Sequence, residues 1–267
     1  MKVFYFILFI VFIGDIAFAN ANDISQISQV RLVTEYGKNT SIEEMETVKF
    51  GSYMQSDING VTKEPIEWIV LDRQGNKSLL LSKYILDSKK YNNKSVENEE
   101  GYVGYNISWE DCDLRKWLNN DFYNQAFSSR EQERIQITNV NNNDKDFKSN
   151  FGNDTNDKIF CLSVEETRKY FGSGTRDKYG YQLGKNVATQ ATNYAKNLVD
   201  NEGHKLYVLE PGFGVDDWRV GNSYFWLRTP HPVIEGFAAR VLEGGYIDDG
   251  WYVDEPVGVR PALWVVD

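Results

Sequence analysis

The residue types best able to do chemistry gather toward the C-terminus. Trp218, Trp226, Tyr246 and Trp251 place indole and phenol rings near two arginines, Arg228 and Arg260. Rings beside planar bidentate donors suit a polar, ring-shaped or carboxylate-bearing ligand. The same residues admit a second reading. Arg228 and Arg260 sit within the apolar runs Phe225-Trp226-Leu227 and Val259 to Val266, where a guanidinium needs a fixed internal partner and the rings would fill core. His231, between Pro230 and Pro232, is either a binding or acid–base group on a rigid turn or a plain loop residue.

Catalytic spacing is otherwise missing. His204 and His231 are the only histidines, and neither has a partner at i+3 or i+4 for a helical zinc site. No nucleophile elbow, phosphate-cradling loop or dinucleotide fingerprint occurs, and Gly172-Ser173-Gly174 reads as a flexible turn. Asp216-Asp217 and Asp248-Asp249 are adjacent pairs, which cannot flank a glycosidic bond from opposite sides. Asp144-Lys145-Asp146 and Asp154 to Asp157 lack the glycine and closing glutamate of a calcium loop. No catalytic residue, metal ligand or cofactor is assigned.

A length of 267 residues without a low-complexity break favours one domain. Seven Trp, sixteen Tyr and fifteen Phe serve either core packing or a surface that stacks on sugars or grips a protein. A net charge of −10 with no Lys/Arg cluster disfavours nucleic acid and anionic membranes as partners. Lys2, the apolar run Val3 to Ile13 and Ala17-Phe18-Ala19 compose a signal peptide over residues 1–19. The run is short and interrupted by Asp15, so a retained anchor is the weaker reading. No cysteine follows for lipid attachment. Residues 20–46 read as a flexible lead-in with one strand near Val30 to Val33, and 47–267 as a single domain, secreted or periplasmic and not inserted in a membrane after cleavage. Cys112 and Cys161 either pair once or stay buried as free thiols.

Alternation at Ile66, Trp68 and Val70, a turn at Arg73-Gln74-Gly75-Asn76, then Leu79-Leu80-Leu81 predict a hairpin. Ser108 with Asp111 predicts the start of a helix carrying Leu114, Trp117, Leu118 and Phe122, and Ser128 with Glu131 and Ser163 with Glu166 predict two more, the last stopped by Gly172. Asn139 to Asp157 reads as a surface loop, Ile159 to Leu162 as a short buried strand, Gly172 to Gly184 as a long loop and Ala188 to Leu198 as a helix. From Ser223 onward, apolar residues at strand spacing predict consecutive strands, with Asp249-Gly250 as a hairpin turn. With no repeat and no alternating strand–helix unit, the fold class is α+β, antiparallel strands with inserted helices.

The series Phe50-Gly51-Ser52-Tyr53, Pro65 to Leu71, Leu114-Arg115-Lys116-Trp117-Leu118-Asn119, Asp157-Lys158-Ile159-Phe160, Trp226-Leu227-Arg228 and Gly258-Val259-Arg260-Pro261-Ala262-Leu263 resembles a family of bacterial domains of unknown function, family 6273. That resemblance implies an exported protein and no established activity. The order Arg228, Arg240, Gly244-Gly245, Gly258-Val259-Arg260 is also similar to the core of the formylglycine-generating-enzyme group, a variant of the C-type-lectin-like fold. This implies a fold, not an activity. The paired cysteines of those enzymes have no counterpart after Cys161, and Glu255-Pro256-Val257 matches the lectins' sugar-binding loop only in part. The expectation is an exported, non-catalytic binding domain for a glycan or protein ligand at the bacterial surface or in the periplasm. The alternatives are an oxidase or hydrolase of the same fold group using His231 and nearby acids, or a purely structural envelope module.

Overall fold

The computed structural model describes residues 45–93, 107–143, 152–172, 175–176, 182–183, 187–232 and 234–267. The expectations for residues 1–19, for nearly all of 20–46 and for Asp144 to Asp146 lie outside the described residues.

The chain opens with β1 (Thr47–Met54), β2 (Lys63–Gln74) and β3 (Lys77–Ser82). Gln74 faces Lys77 across a tight turn in which Gly75 takes φ 62°, a conformation glycine adopts at little cost. The predicted hairpin is therefore present. β4 (Asp87–Lys89) follows, then one helical run made of α1 (Asp113–Trp117), a π-helical turn (Leu118–Phe122) and α2 (Tyr123–Ala126). Leu114, Leu118 and Phe122 are buried along it, as the spacing predicts. The start differs. Ser108 and Asp111 bond each other in a preceding turn, and Cys112 caps α1 by accepting from Arg115 N through Sγ at 3.4 Å.

α3 (Ser129–Gln132) carries the Ser128/Glu131 capping box, and β5 (Ile135–Gln136) comes next. The segment expected to be a surface loop is a second hairpin at its two ends, β6 (Thr138–Val140) against β7 (Thr155–Asp157). Burial explains the difference. Asp157 is fully buried, where its carboxylate accepts from Trp109 Nε1 at 2.8 Å, Arg115 Nε at 2.6 Å and Thr155 Oγ1 at 2.8 Å, so a residue typical of loops serves as a core hub. Residues 159–162 are buried as expected, with one bridge, Phe160 to Ala262. α4 (Val164–Phe171) has the Ser163/Glu166 capping box and stops at Gly172, φ 79°. The long loop after it contains β8 (Thr175–Arg176) paired with β9 (Gln182–Leu183). α5 (Asn193–Asn197) is shorter than the helix expected there, because Thr192 caps it and Gln190 and Ala191 enter bridges instead.

After a 3-10 turn (Asp217–Arg219) come β10 (Phe225–Pro230), β11 (Phe237–Val241), β12 (Ile247–Tyr252), β13 (Val257–Val259) and β14 (Ala262–Val266). The Asp249-Gly250 hairpin is not formed. Those residues lie inside β12, and the turn falls at Leu242 to Gly245, closed by Gly245 N donating to Leu242 O at 2.8 Å. Gly250 serves close approach instead, since a Cβ there would come 2.8 Å from His231 Cδ2.

Two five-stranded sheets result, ordered β1-β2-β3-β14-β5 and β12-β11-β10-β13-β4. The first is wholly antiparallel. In the second only β10 and β13 run parallel. The described residues thus form a mixed α+β fold, with short helices set between strands. The closing strands are divided between the sheets, and the last one completes the sheet begun by the first hairpin.

Two of the chain's passages between these sheets, from β3 to β4 and from β13 to β14, run side by side. Ser82 N donates to Pro261 O and Leu86 N to Val259 O. Arg260 sits at this corner with 1% of its surface exposed. Its Nε donates to Ser82 O and its Nη1 to Val187 O, each at 2.8 Å, and its guanidinium lies 5.2 Å from the Phe225 ring centroid and 5.9 Å from that of Phe171. Gly258 precedes it because a Cβ would meet Tyr224 O at 2.5 Å.

Replacing Arg260 with Ala leaves both carbonyls without this donor and opens a cavity. At about 1–3 kcal/mol per unsatisfied buried group, Arg260→Ala is expected to lower unfolding free energy by about 2–5 kcal/mol. A urea midpoint within error of the parent's would show that Arg260 is not the staple of the corner.

Candidate functional site

The register of β10, β11 and β12 places Trp226, Arg240 and Asp248 opposite one another on one face. Arg240 is its centre. Its Nε donates to Asp248 Oδ2 at 2.9 Å, and its Cζ lies 3.7 Å from the Trp251 ring centroid and 4.5 Å from that of Tyr224. Rings continue outward in both directions. Tyr224 stacks on Tyr207 at 4.6 Å and 15°; Trp251 meets Tyr252 edge-on at 5.8 Å, and Tyr252 packs on Phe237 at 4.5 Å. Tyr207 and Tyr252 are about half exposed, at 46% and 51%, whereas Trp251 and Tyr224 are partly covered. The result is a ledge of ring faces and edges around one guanidinium, on strands that include the sheet-edge strand β12.

The electrostatics of the ledge follow from its burial. Desolvation pushes the Arg240 pKa down while Asp248 pulls it back. Burial raises the Tyr224 phenol to about 12, with Glu243 and Tyr207 adding to the effect. Both side chains therefore keep their ordinary charge at neutral pH, a cation flanked by neutral rings. Such an assembly offers ring surface beside a polar anchor.

The sequence-predicted residues do not all gather here. Trp251 belongs to the ledge. His231 adjoins it, its ring centroid 6.3 Å from that of Phe237, and spends Nδ1 accepting from Ile234 N at 2.8 Å. Tyr246 is partly buried on the turn between β11 and β12, where a Cβ on Gly244 would come within 2.5 Å of its ring. Trp218 is partly buried in the 3-10 turn, its carbonyl accepting from Asn222 Nδ2 at 3.3 Å. Three others lie inside the molecule. Trp226 is fully buried, donating to Lys89 O at 2.9 Å and packing edge-on against Tyr91. Arg228, 3% exposed, bonds Cys161 O at 3.0 Å, Asn141 O at 2.9 Å and the Glu166 carboxylate. Arg260 forms the corner described above.

Sequence reasoning passed over Arg240, Tyr224, Tyr207, Phe237 and Tyr252 as site residues. Arg240 carried the same signal as Arg228, a guanidinium in an apolar run. Both are buried, Arg240 at 6% and Arg228 at 3% exposed; their partners separate them, Asp248 and two rings for Arg240, backbone carbonyls and Glu166 for Arg228.

A second group escaped notice because its members are close only in the folded chain. His204 Nδ1 lies 3.3 Å from Asp200, 3.6 Å from Glu202 and 3.9 Å from Glu255. Asp200, Glu202 and His204 approach one another as metal ligands do, but the Lys90 ammonium, 2.8 Å from Glu202 and 3.4 Å from Asp200, already supplies a cation there. The two cysteines are free and fully buried. Burial raises the Cys112 thiol to about 12 and pushes Cys161 well up, the opposite of an activated nucleophile.

Fold and site together define a mixed α+β domain with two linked sheets and an aromatic, arginine-centred ledge. The family described as Domain of unknown function (DUF6273) matches residues 75–266, and the chain belongs to it. No curated protein and no solved structure matches. No helix among the described residues is long and apolar enough to cross a membrane.

The buried thiols are expected to resist a thiol reagent at pH 8 in the native protein and to titrate as two free groups after denaturation. Rapid native labelling would contradict their placement. The pH dependence follows from the phenols, since Tyr53, Tyr91 and Tyr224 all have raised pKa values, with burial the first cause. Unfolded phenols ionise near pH 10, so the chain then holds fewer protons than the native state and stability falls as pH climbs. Melting temperature is expected to be level in this respect below about pH 10 and to drop above it. A melting curve unchanged to pH 11.5 would contradict this.

Proposed function

We propose that this chain is an exported, non-catalytic binding domain whose ledge around Arg240 takes a glycan at the bacterial surface or in the periplasm. One observation carries the reading: Trp251 and Tyr224 flank Arg240 and Asp248, and Tyr207 and Tyr252 extend the ring surface into solvent. Ring faces stack on the apolar face of a sugar, and a fixed guanidinium–carboxylate pair gives hydroxyls both donor and acceptor. Export rests on the signal-peptide pattern of residues 1–19. The order Arg228, Arg240, Gly244-Gly245 and Gly258-Val259-Arg260 supports a formylglycine-generating-enzyme-like or C-type-lectin-like fold. Buried thiols of raised pKa and a His231 already bonded through Nδ1 favour binding over catalysis.

A protein ligand is the second reading, favoured by Phe213, which stands fully exposed in the loop Glu210 to Val215. A large apolar side chain held in water is a common anchor in protein interfaces.

A glycan array run beside a pull-down from host and envelope extracts separates the two. The expected outcome is a glycan signal that falls at least tenfold in Trp251→Ala and Tyr252→Ala while Phe213→Ala leaves it intact. Loss in Phe213→Ala alone, with capture of a protein, selects the second reading. A folded protein silent in both assays would sink them together.

A further inference from the structure

Among the described residues Phe213 is the most exposed of the large apolar side chains, at 110% against 81% for Val61. Its position is fixed by the backbone on either side. The loop that carries it leaves a short ladder in which Leu209 N donates to Asn222 O and Gly221 N to Leu209 O, each at 2.9 Å. At the tip Val215 N donates to Gly212 O at 3.2 Å, and Gly214 takes φ 79°, the positive value that the third residue of a type II turn requires. The chain then closes again, with Arg219 N donating to Asp216 O at 2.9 Å. Phe213 is thus the second residue of a hydrogen-bonded turn, so little backbone freedom is left to lose when a surface packs on it.

The charges along this loop carry one sign. Glu210, Asp216 and Asp217 are exposed, and among the described residues their carboxylates enter no hydrogen bond or ion pair. The nearest cation along the chain, Arg219, is already joined to Glu243.

That pattern selects an occupant. An anionic lipid surface or a nucleic acid would bring more negative charge to three unpaired carboxylates. A second copy of this chain, at net charge −10, would do the same. A basic protein surface instead gains twice, by covering the ring and by matching the carboxylates around it.

We infer that the loop 210–217 docks a protein whose contact surface is basic, with Phe213 filling an apolar hollow and Lys or Arg side chains at its rim pairing with Glu210, Asp216 and Asp217. The inference rests on the protein-ligand reading of Phe213 and adds to it the partner's chemistry.

The test pans a phage-displayed library of random disulfide-cyclised peptides against the intact protein and keeps the clones that fail to bind Phe213→Ala. The retained peptides are expected to be net positive and to place Lys or Arg beside apolar residues. As synthetic peptides they should bind at least tenfold more weakly to Asp216→Lys/Asp217→Lys than to the parent. Their binding should also weaken at least tenfold as salt rises from about 0.05 M to about 0.5 M, where the Debye length shortens severalfold. These substitutions change exposed side chains that have no bond to lose, so the fold is retained. Retained peptides that are neutral or acidic, or whose binding ignores the charge reversal, overturn the inference and leave the protein-ligand reading standing. Absence of any Phe213-dependent clone overturns it too. The protein-ligand reading fails separately, when Phe213→Ala captures from the extracts whatever the parent captures.

Discussion

A guanidinium with no carboxylate beside it among the described residues holds this molecule's two five-stranded sheets together. Burial pushes the Arg260 pKa down to about 9, still far enough above neutrality that the group remains charged. A lone buried cation is costly, and here the cost is offset by two carbonyl dipoles and two ring faces rather than by an anion. Those carbonyls belong to Ser82, at the end of β3, and Val187, well downstream in the chain. The passage from β13 to β14 therefore follows the passage from β3 to β4, and β14 finds its place between β3 and β5. Removing the contact loosens both sheets at their shared corner, and with them β10 and β11, on which the ledge stands.

The motifs that resemble the family are spent on similar work. Arg115 and Trp109 converge on Asp157. Asn119, in the π-helical turn, bonds the backbone of Lys158 and Ile159 as acceptor and of Ile159 as donor, fastening the helical run to the segment that bridges β14. Arg228 joins Glu166 at the head of α4 to the carbonyl of Cys161. Burial alone would raise the Glu166 pKa, but Arg228 and the Ser163 amide outweigh it and hold it low. Those residues thus build a scaffold, while the ring surface of Tyr207, Tyr224, Trp251 and Tyr252 lies outside those motifs.

Features governed by neighbouring residues are legible in the sequence. The Ser128/Glu131 and Ser163/Glu166 capping boxes, the helix stop at Gly172 and the Gly75 turn each depend on groups within a few residues of one another. Features that needed distant partners were misread or missed. Asp249-Gly250 has turn chemistry, yet β12 runs through it because β11 and His231 claim that stretch. Asp157 has loop chemistry, yet Arg115 and Trp109 draw it into the core. The candidate site shows the same division: aromatic residues and arginines in the closing strands were visible as a set, but not which of them faces solvent.

By itself the sequence determined composition, charge, local caps and the alternation that makes a mixed α+β chain, because these are set by residue type and short-range spacing. Tertiary structure alone decided that Arg228 and Arg260 staple backbone carbonyls while Arg240, also buried, pairs with Asp248 between two rings, and that Cys112 and Cys161 remain free and buried. The physical reason is that a guanidinium or a thiol carries the same chemistry in every position. Only the acceptors, rings and water that folding brings within a few ångströms determine whether that chemistry is used inside the protein or offered to a ligand.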